Sequence, residues 1–141
     1  MKIIIYAICK NEAQFAARFM ASCAEADGVY VLDTGSTDGT PELLRRLGAN
    51  VQTATIDPWR FDNARNASLE RVPKDADVCI CLDLDEVLCP GWREALEAAW
   101  APGTCLLYTS SSCPLWSGRA GRSDWAGRAD LAGDALGASR S

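Results

Sequence analysis

Val78-Cys79-Ile80-Cys81-Leu82-Asp83-Leu84-Asp85-Glu86 is the stretch that decides the fold of this chain. Five apolar residues run without interruption and end on two aspartates. Such a run reads as a strand buried on both faces, the kind found in parallel sheets. In an extended chain, residues two apart point the same way, so Asp83 and Asp85 are expected to present two carboxylates to one place. Hard divalent cations prefer such oxygen ligands, and magnesium takes its remaining ligands from water and a substrate's phosphates. Cys79 and Cys81 share one face of the same strand. With no histidine in the chain and no matching second cysteine pair, they are expected to be small buried apolar residues rather than metal ligands.

Outward from this stretch, strand and helix patterns alternate. Residues 2–8 form another nearly continuous apolar run, and residues 29–32 and 51–56 read as shorter strands. Asn11 is placed to cap a helix, with Gln14 answering it in a capping box. Phe15, Ala16, Phe19, Met20 and Cys23 then recur at helical spacing. Thr40-Pro41 starts a second helix with Leu43, Leu44 and Leu47 on its apolar stripe, and Gly48 ends it. Residues 61–71 read as a third helix, stopped by Pro73, and Pro90 opens a fourth that carries Trp92, Leu96 and Trp100. The alternation implies an α/β fold, a Rossmann-like and mostly parallel sheet flanked by helices. Ligands of such sheets bind beyond the carboxyl ends of the strands, where the polar motifs of this chain lie.

The chain is 141 residues long with a net charge of −5, room for one domain and no electrostatic footprint for nucleic acid. The acidity belongs to residues 1–104, which carry ten basic and sixteen acidic groups. Residues 105–141 contain no Lys, Glu, Ile, Val, Phe or Asn and read as a low-complexity tail. Within it, Cys105-Leu106-Leu107-Tyr108-Thr109-Ser110 resembles a translated transposase adapter of sequencing libraries. The tail is therefore expected to be either disordered or non-native. The seven cysteines are odd in number and irregular in spacing, and the apolar start meets Lys10, Asn11 and Glu12 too soon for a signal core or membrane span. Reduced thiols and a cytoplasmic protein are expected.

Two further polar motifs follow strands. Asp33-Thr34-Gly35-Ser36-Thr37-Asp38-Gly39-Thr40 is rich in turn residues, and Asp33 is a candidate acceptor of hydrogen bonds from a base or ribose. An aspartic protease would be all-β with two such aspartates, and a phosphate loop would need Gly-Lys-Ser/Thr, which is absent. In Phe61-Asp62-Asn63-Ala64-Arg65-Asn66, Asp62 and Arg65 lie one helical turn apart, and Arg65 offers a guanidinium fork suited to phosphate oxygens. An ordinary surface ion pair is the plainer reading of these two.

Together, Ile8-Cys9-Lys10-Asn11-Glu12, Val31 through Thr40, Asp62 through Asn66 and Leu82 through Glu86 resemble family 2 glycosyltransferases of the GT-A fold in order and spacing. The resemblance covers residues 2 to about 104 and implies the nucleotide-sugar-binding half of a GT-A domain that reads as truncated. It implies that Asp33 contacts the nucleoside, Arg65 lies near the base or diphosphate, Asp83 meets the ribose, and Asp85 with Asp83 holds Mg²⁺ or Mn²⁺. Lys10, Glu12 and Asp62 would belong to the same nucleotide-sugar pocket. The donor implied is a nucleoside-diphosphate sugar, a UDP-sugar first, and the acceptor a glycan, lipid or protein. The implied reaction is an inverting displacement, but its general base lies outside the matched region and is not assigned to Asp124, Asp130 or Asp134.

Two other readings stay open. A truncated module could bind nucleotide without transferring sugar. Leu82 through Leu88 also resembles the nucleophile strand of haloacid-dehalogenase-like phosphohydrolases, although those proteins usually begin with that strand and need a later lysine, and Lys74 is the last one here.

Overall fold

The computed structural model describes residues 1–101 and 103–104, together with the backbone of 116–117. Strands β1 (Ile3–Cys9), β2 (Gly28–Asp33), β3 (Asn50–Thr53) and β4 (Val78–Cys81) form one sheet in the order β3-β2-β1-β4. Every pairing in it is parallel, with Ile5 opposite Val29 on one side and Ile80 on the other. Helices α1 (Ala13–Ser22), α2 (Thr40–Arg46), α3 (Phe61–Leu69) and α4 (Trp92–Ala99) connect and cover the strands. The architecture is the expected α/β layering.

The pleat of β1 sorts the helices. Its Ile3, Ile5, Ala7 and Cys9 point into a large cluster with Phe19 of α1, Leu44 of α2, and Trp92 and Leu96 of α4. Ile8 points the other way, into a small cluster with Leu32 and with Ala64 of α3. Three helices thus cover one face and one covers the other. β1 is buried almost throughout because it is central and covered twice.

Several local readings are corrected. Asn11 does not cap α1: it adopts a positive φ of 55°, and α1 begins after Glu12 with no side-chain cap of its own. Asparagine tolerates this left-handed conformation, which turns its side chain toward the β2–α2 loop instead. The third strand stops at Thr53 rather than residue 56. β4 is not buried on both faces. It lies at the sheet edge, and Cys79 and Cys81 are exposed instead of packed. A short strand β5 (Val87–Leu88) was not expected, and it pairs antiparallel with β6 (Trp116–Ser117). The expectation of a disordered or non-native tail otherwise lies outside the described residues.

Polar clasps close the edge of the sheet opposite the strands' carboxyl ends. Asp27 accepts hydrogen bonds from Ile3 N (2.8 Å) and lies 3.1 Å from the Arg93 guanidinium. Arg93 also reaches the carbonyls of Glu25 and Met1. Glu25 in turn accepts from Gly91 N and Arg93 N, capping α4 from a distant part of the chain. The indole of Trp92 donates to Ser22 O at 3.1 Å, so its polar atom is satisfied inside the core.

Two outcomes are expected. Phe19→Ala, at a fully buried site, should destabilise the chain by about 3–5 kcal/mol in urea denaturation. The bond from Ile3 N, followed by Arg93, lowers the pKa of Asp27 below its ordinary value. The depressed group stabilises above its unfolded pKa and loses that effect as pH falls through the folded one. Asp27→Asn should therefore lower the urea midpoint at pH 7 and approach wild type below the carboxylate range.

Candidate functional site

The β1–α1 and β2–α2 loops meet at the carboxyl edge of the sheet, and Asp33 organises them. Its carboxylate, at 1% exposure, accepts from Gly35 N and Ser36 N at 3.2 Å and from the Ser36 hydroxyl. The Cys9 thiol approaches it at 3.6 Å, and burial, followed by this carboxylate, pushes that thiol's pKa well up. Thr34 N and Oγ1 both donate to Cys9 O at 3.0 Å. Gly35 supplies the positive φ of 110° that this turn requires. Asp33 thus holds the loop, and its oxygens face protein donors rather than open space.

The second loop then holds the first. Asn11 N donates to Ser36 Oγ at 2.8 Å, Thr37 N donates to Asn11 Oδ1 at 2.7 Å, and Glu12 N donates to Thr40 Oγ1 at 2.9 Å. Asp38 accepts from Ala13 N at 3.2 Å and from Thr40 N at 3.1 Å, so one carboxylate serves the starts of both α1 and α2. Its pKa is lowered, chiefly by the Thr40 hydroxyl bond. Sequence reading missed this double role and the Asn11–Ser36 tie. The only signal was the density of Ser, Thr and Asp in residues 33–40.

Asp83 follows β4, and the chain turns there instead of staying extended. Glu86 N donates to Asp83 O at 3.0 Å, which closes a turn over Leu84. The extended-chain argument for Asp83 and Asp85 therefore fails, although both remain half-exposed around a fully buried Leu84. Arg65, from the first turns of α3, pairs with Asp83 rather than with Asp62. Its other nitrogen donates to Cys81 Sγ at 2.9 Å, and its guanidinium lies 5.0 Å from the centre of the Phe61 ring. Asp62 pairs with Arg60 at 2.8 Å because both sit exposed at the helix start. The site thus gathers Asp83, Asp85 and Arg65, with Glu12 near enough to feel the first two, while Asp62 stands apart and Lys10 is exposed on its loop.

The electrostatics are acidic. Burial first, with repulsion from Asp85, Asp83 and Asp38, raises the pKa of Glu12. Burial also raises Glu86, with Asp83 and Asp85 adding to it. Arg18 donates to the Asp85 carbonyl at 2.9 Å. Among the described residues no three Cys, Asp or Glu side chains gather as a metal cage. The side chains that gather here, Asp83 and Asp85, are oxygen donors of the kind hard divalent cations prefer.

The sequence and the fold have counterparts among known proteins. Residues 4–109 match the family described as Glycosyl transferase family 2. An uncharacterized glycosyltransferase of Rickettsia bellii is 33% identical over 101 residues, covering 71% of this chain and 33% of that protein. Glucosyl-3-phosphoglycerate synthase from Mycobacterium tuberculosis, solved with Mg²⁺ and uridine diphosphate, superimposes with a TM-score of 0.57 at 23% identity. That match covers 69% of this chain and 38% of the synthase. The same enzyme has also been solved with Mn²⁺, uridine diphosphate and glucosyl-3-phosphoglycerate, with the same TM-score of 0.57. The chain spans about a third of the length of these relatives. Among the described residues no helix is long and apolar enough to cross a membrane.

Asp33→Ala should strip acceptors from two backbone amides and a hydroxyl at once, a loss of about 2–4 kcal/mol in urea denaturation. Amide exchange at Ser36 should accelerate with it. Asp33→Asn, which keeps one acceptor oxygen, should lose less.

Proposed function

The chain belongs to Glycosyl transferase family 2, and from that premise we propose that residues 2–104 bind the nucleoside-diphosphate portion of an activated sugar. The donor favoured is a UDP-sugar, since the similar synthase has been solved with uridine diphosphate. The observation that carries the reading is the convergence of Glu12, Arg65, Asp83 and Asp85 at the carboxyl edge of a parallel sheet. The activity is transfer of the sugar to an acceptor by inverting displacement, and the acceptor is a glycan, a lipid or a protein. The general base is not assigned to a residue of this chain. A module that binds nucleotide without transferring sugar is the second reading. The phosphohydrolase reading gains nothing, because the strand before Asp83 is fourth in order and at a sheet edge.

The electrostatics give a physical reason for a cation. A diphosphate approaching Glu12, Asp83, Asp85 and Glu86 meets excess negative charge. The amide ends of α1 and α2, which would otherwise attract it, already face the Asp38 carboxylate. Asp85, with Asp83, would hold Mg²⁺ or Mn²⁺, which when bound neutralises the departing diphosphate as a Lewis acid. Arg65 fixes the orientation of Asp83 and keeps a planar donor at the pocket. Glu12 tightens the β1–α1 loop beside it by accepting from Lys10 N at 3.4 Å. The reading takes the protein to be cytoplasmic, where thiols stay reduced.

Calorimetric titration of the full chain with UDP, GDP and CDP, with and without Mn²⁺, tests the assignment. UDP binding that needs Mn²⁺ is expected, weakened at least tenfold by Asp85→Ala, which corresponds to about 1.4 kcal/mol. Folded protein that binds none of the three nucleotides would overturn it.

A further inference from the structure

The turn from Asp83 to Glu86 closes on itself at its two ends. Glu86 N donates to Asp83 O at 3.0 Å, and the Glu86 carboxylate accepts from Asp83 N at the same distance. Between them the Leu84 side chain is fully buried. These contacts set the shape of the turn. A tie from outside it comes from Arg18 of α1, whose guanidinium donates to the Asp85 carbonyl at 2.9 Å across 67 positions of sequence. A bond to that carbonyl fixes the peptide from which the Asp85 carboxylate departs.

Arg18 is itself held in place. It stands one helical turn after Phe15, and its guanidinium carbon lies 5.5 Å from the centre of that ring. Phe15 in turn packs against the main core cluster. A planar guanidinium over an aromatic face presents its donors in a fixed fork, whereas an ammonium on a flexible stem does not. A line of contacts therefore runs from the core through Phe15 and Arg18 to the peptide of Asp85.

We propose that Arg18 is a positioning residue: it fixes the Asp83–Glu86 turn against α1 and so sets the place of the Asp85 carboxylate. The proposal rests on the donor reading above, in which Asp85 with Asp83 would hold the cation, and adds to it a residue that touches neither nucleotide nor metal. Charge alone predicts the opposite effect. Removing a positive group beside an acidic site strengthens its attraction for Mn²⁺, whereas loss of the positioning bond weakens it.

Two measurements on the full chain test this. In the ligand-free protein, Arg18→Ala should accelerate amide exchange at Glu86 by about tenfold or more. Exchange at Ile5 in β1 and the urea midpoint should not move, because alanine is a good helix former at an exposed position. In UDP titrations at graded Mn²⁺, the concentration giving half-maximal binding should rise by about fivefold or more in Arg18→Ala, while UDP affinity at saturating Mn²⁺ stays within about twofold of wild type. Arg18→Lys, which keeps the charge and loses the fork, should fall between the two. An unchanged or lowered Mn²⁺ requirement in folded Arg18→Ala would overturn the proposal, and so would unchanged exchange at Glu86. Failure of the donor reading shows separately, as absent UDP binding by the wild type while Glu86 exchange still depends on Arg18.

Discussion

A carboxylate buried at the end of a central strand must be met by donors, and the carboxyl edge of this sheet is built to meet Asp33. Gly35 and Ser36 turn back to supply them. Ser36, once held, receives Asn11, and Asn11 receives Thr37. The two loops therefore form one network whose bonds depend on each other, and partial loss would strand polar groups in a half-buried setting. Asp33 is the fixed point from which the surrounding residues take their positions.

The site joins both faces of the sheet. The loop network belongs to the face covered by α1, α2 and α4, whereas Arg65 arrives from α3 on the opposite face and closes on Asp83 beyond the edge strand. Arg65 touches four chemistries at once: a carboxylate, a thiol, an aromatic face and the solvent side of the pocket. The same contacts make it a poor candidate for a simple phosphate clamp, since a phosphate would compete with Asp83 for the guanidinium. A cation at the aspartates would ease that competition by taking over the carboxylate.

The layering was legible because apolar runs and helical stripes leave little choice about which side is buried. Ile3–Cys9 and the Trp92–Leu96 stripe lie as their patterns require. The sheet edge was not legible, because Val78–Cys81 is as apolar as a central strand and nothing in its composition says that one face stays open. Polar partners were legible only as a crowd. Spacing suggested Asp62 with Arg65, but a helix-start carboxylate is closer to Arg60, and tertiary packing sent Arg65 to Asp83. Glu25 capping α4 from 66 residues away leaves no local trace at all.

The apolar contact of α3 with the sheet is small: Ala64 against Ile8 and Leu32, with Ala67, Ala54 and Ile56 at the margin. Alanines bury little area, so a polar bond matters more to this helix: Ser68 Oγ donates to Ala7 O at 2.8 Å inside the core. Arg65 thus reaches Asp83 from a helix pinned to the central strand by one hydroxyl, and a change at Ser68 would be felt at the pocket without touching it.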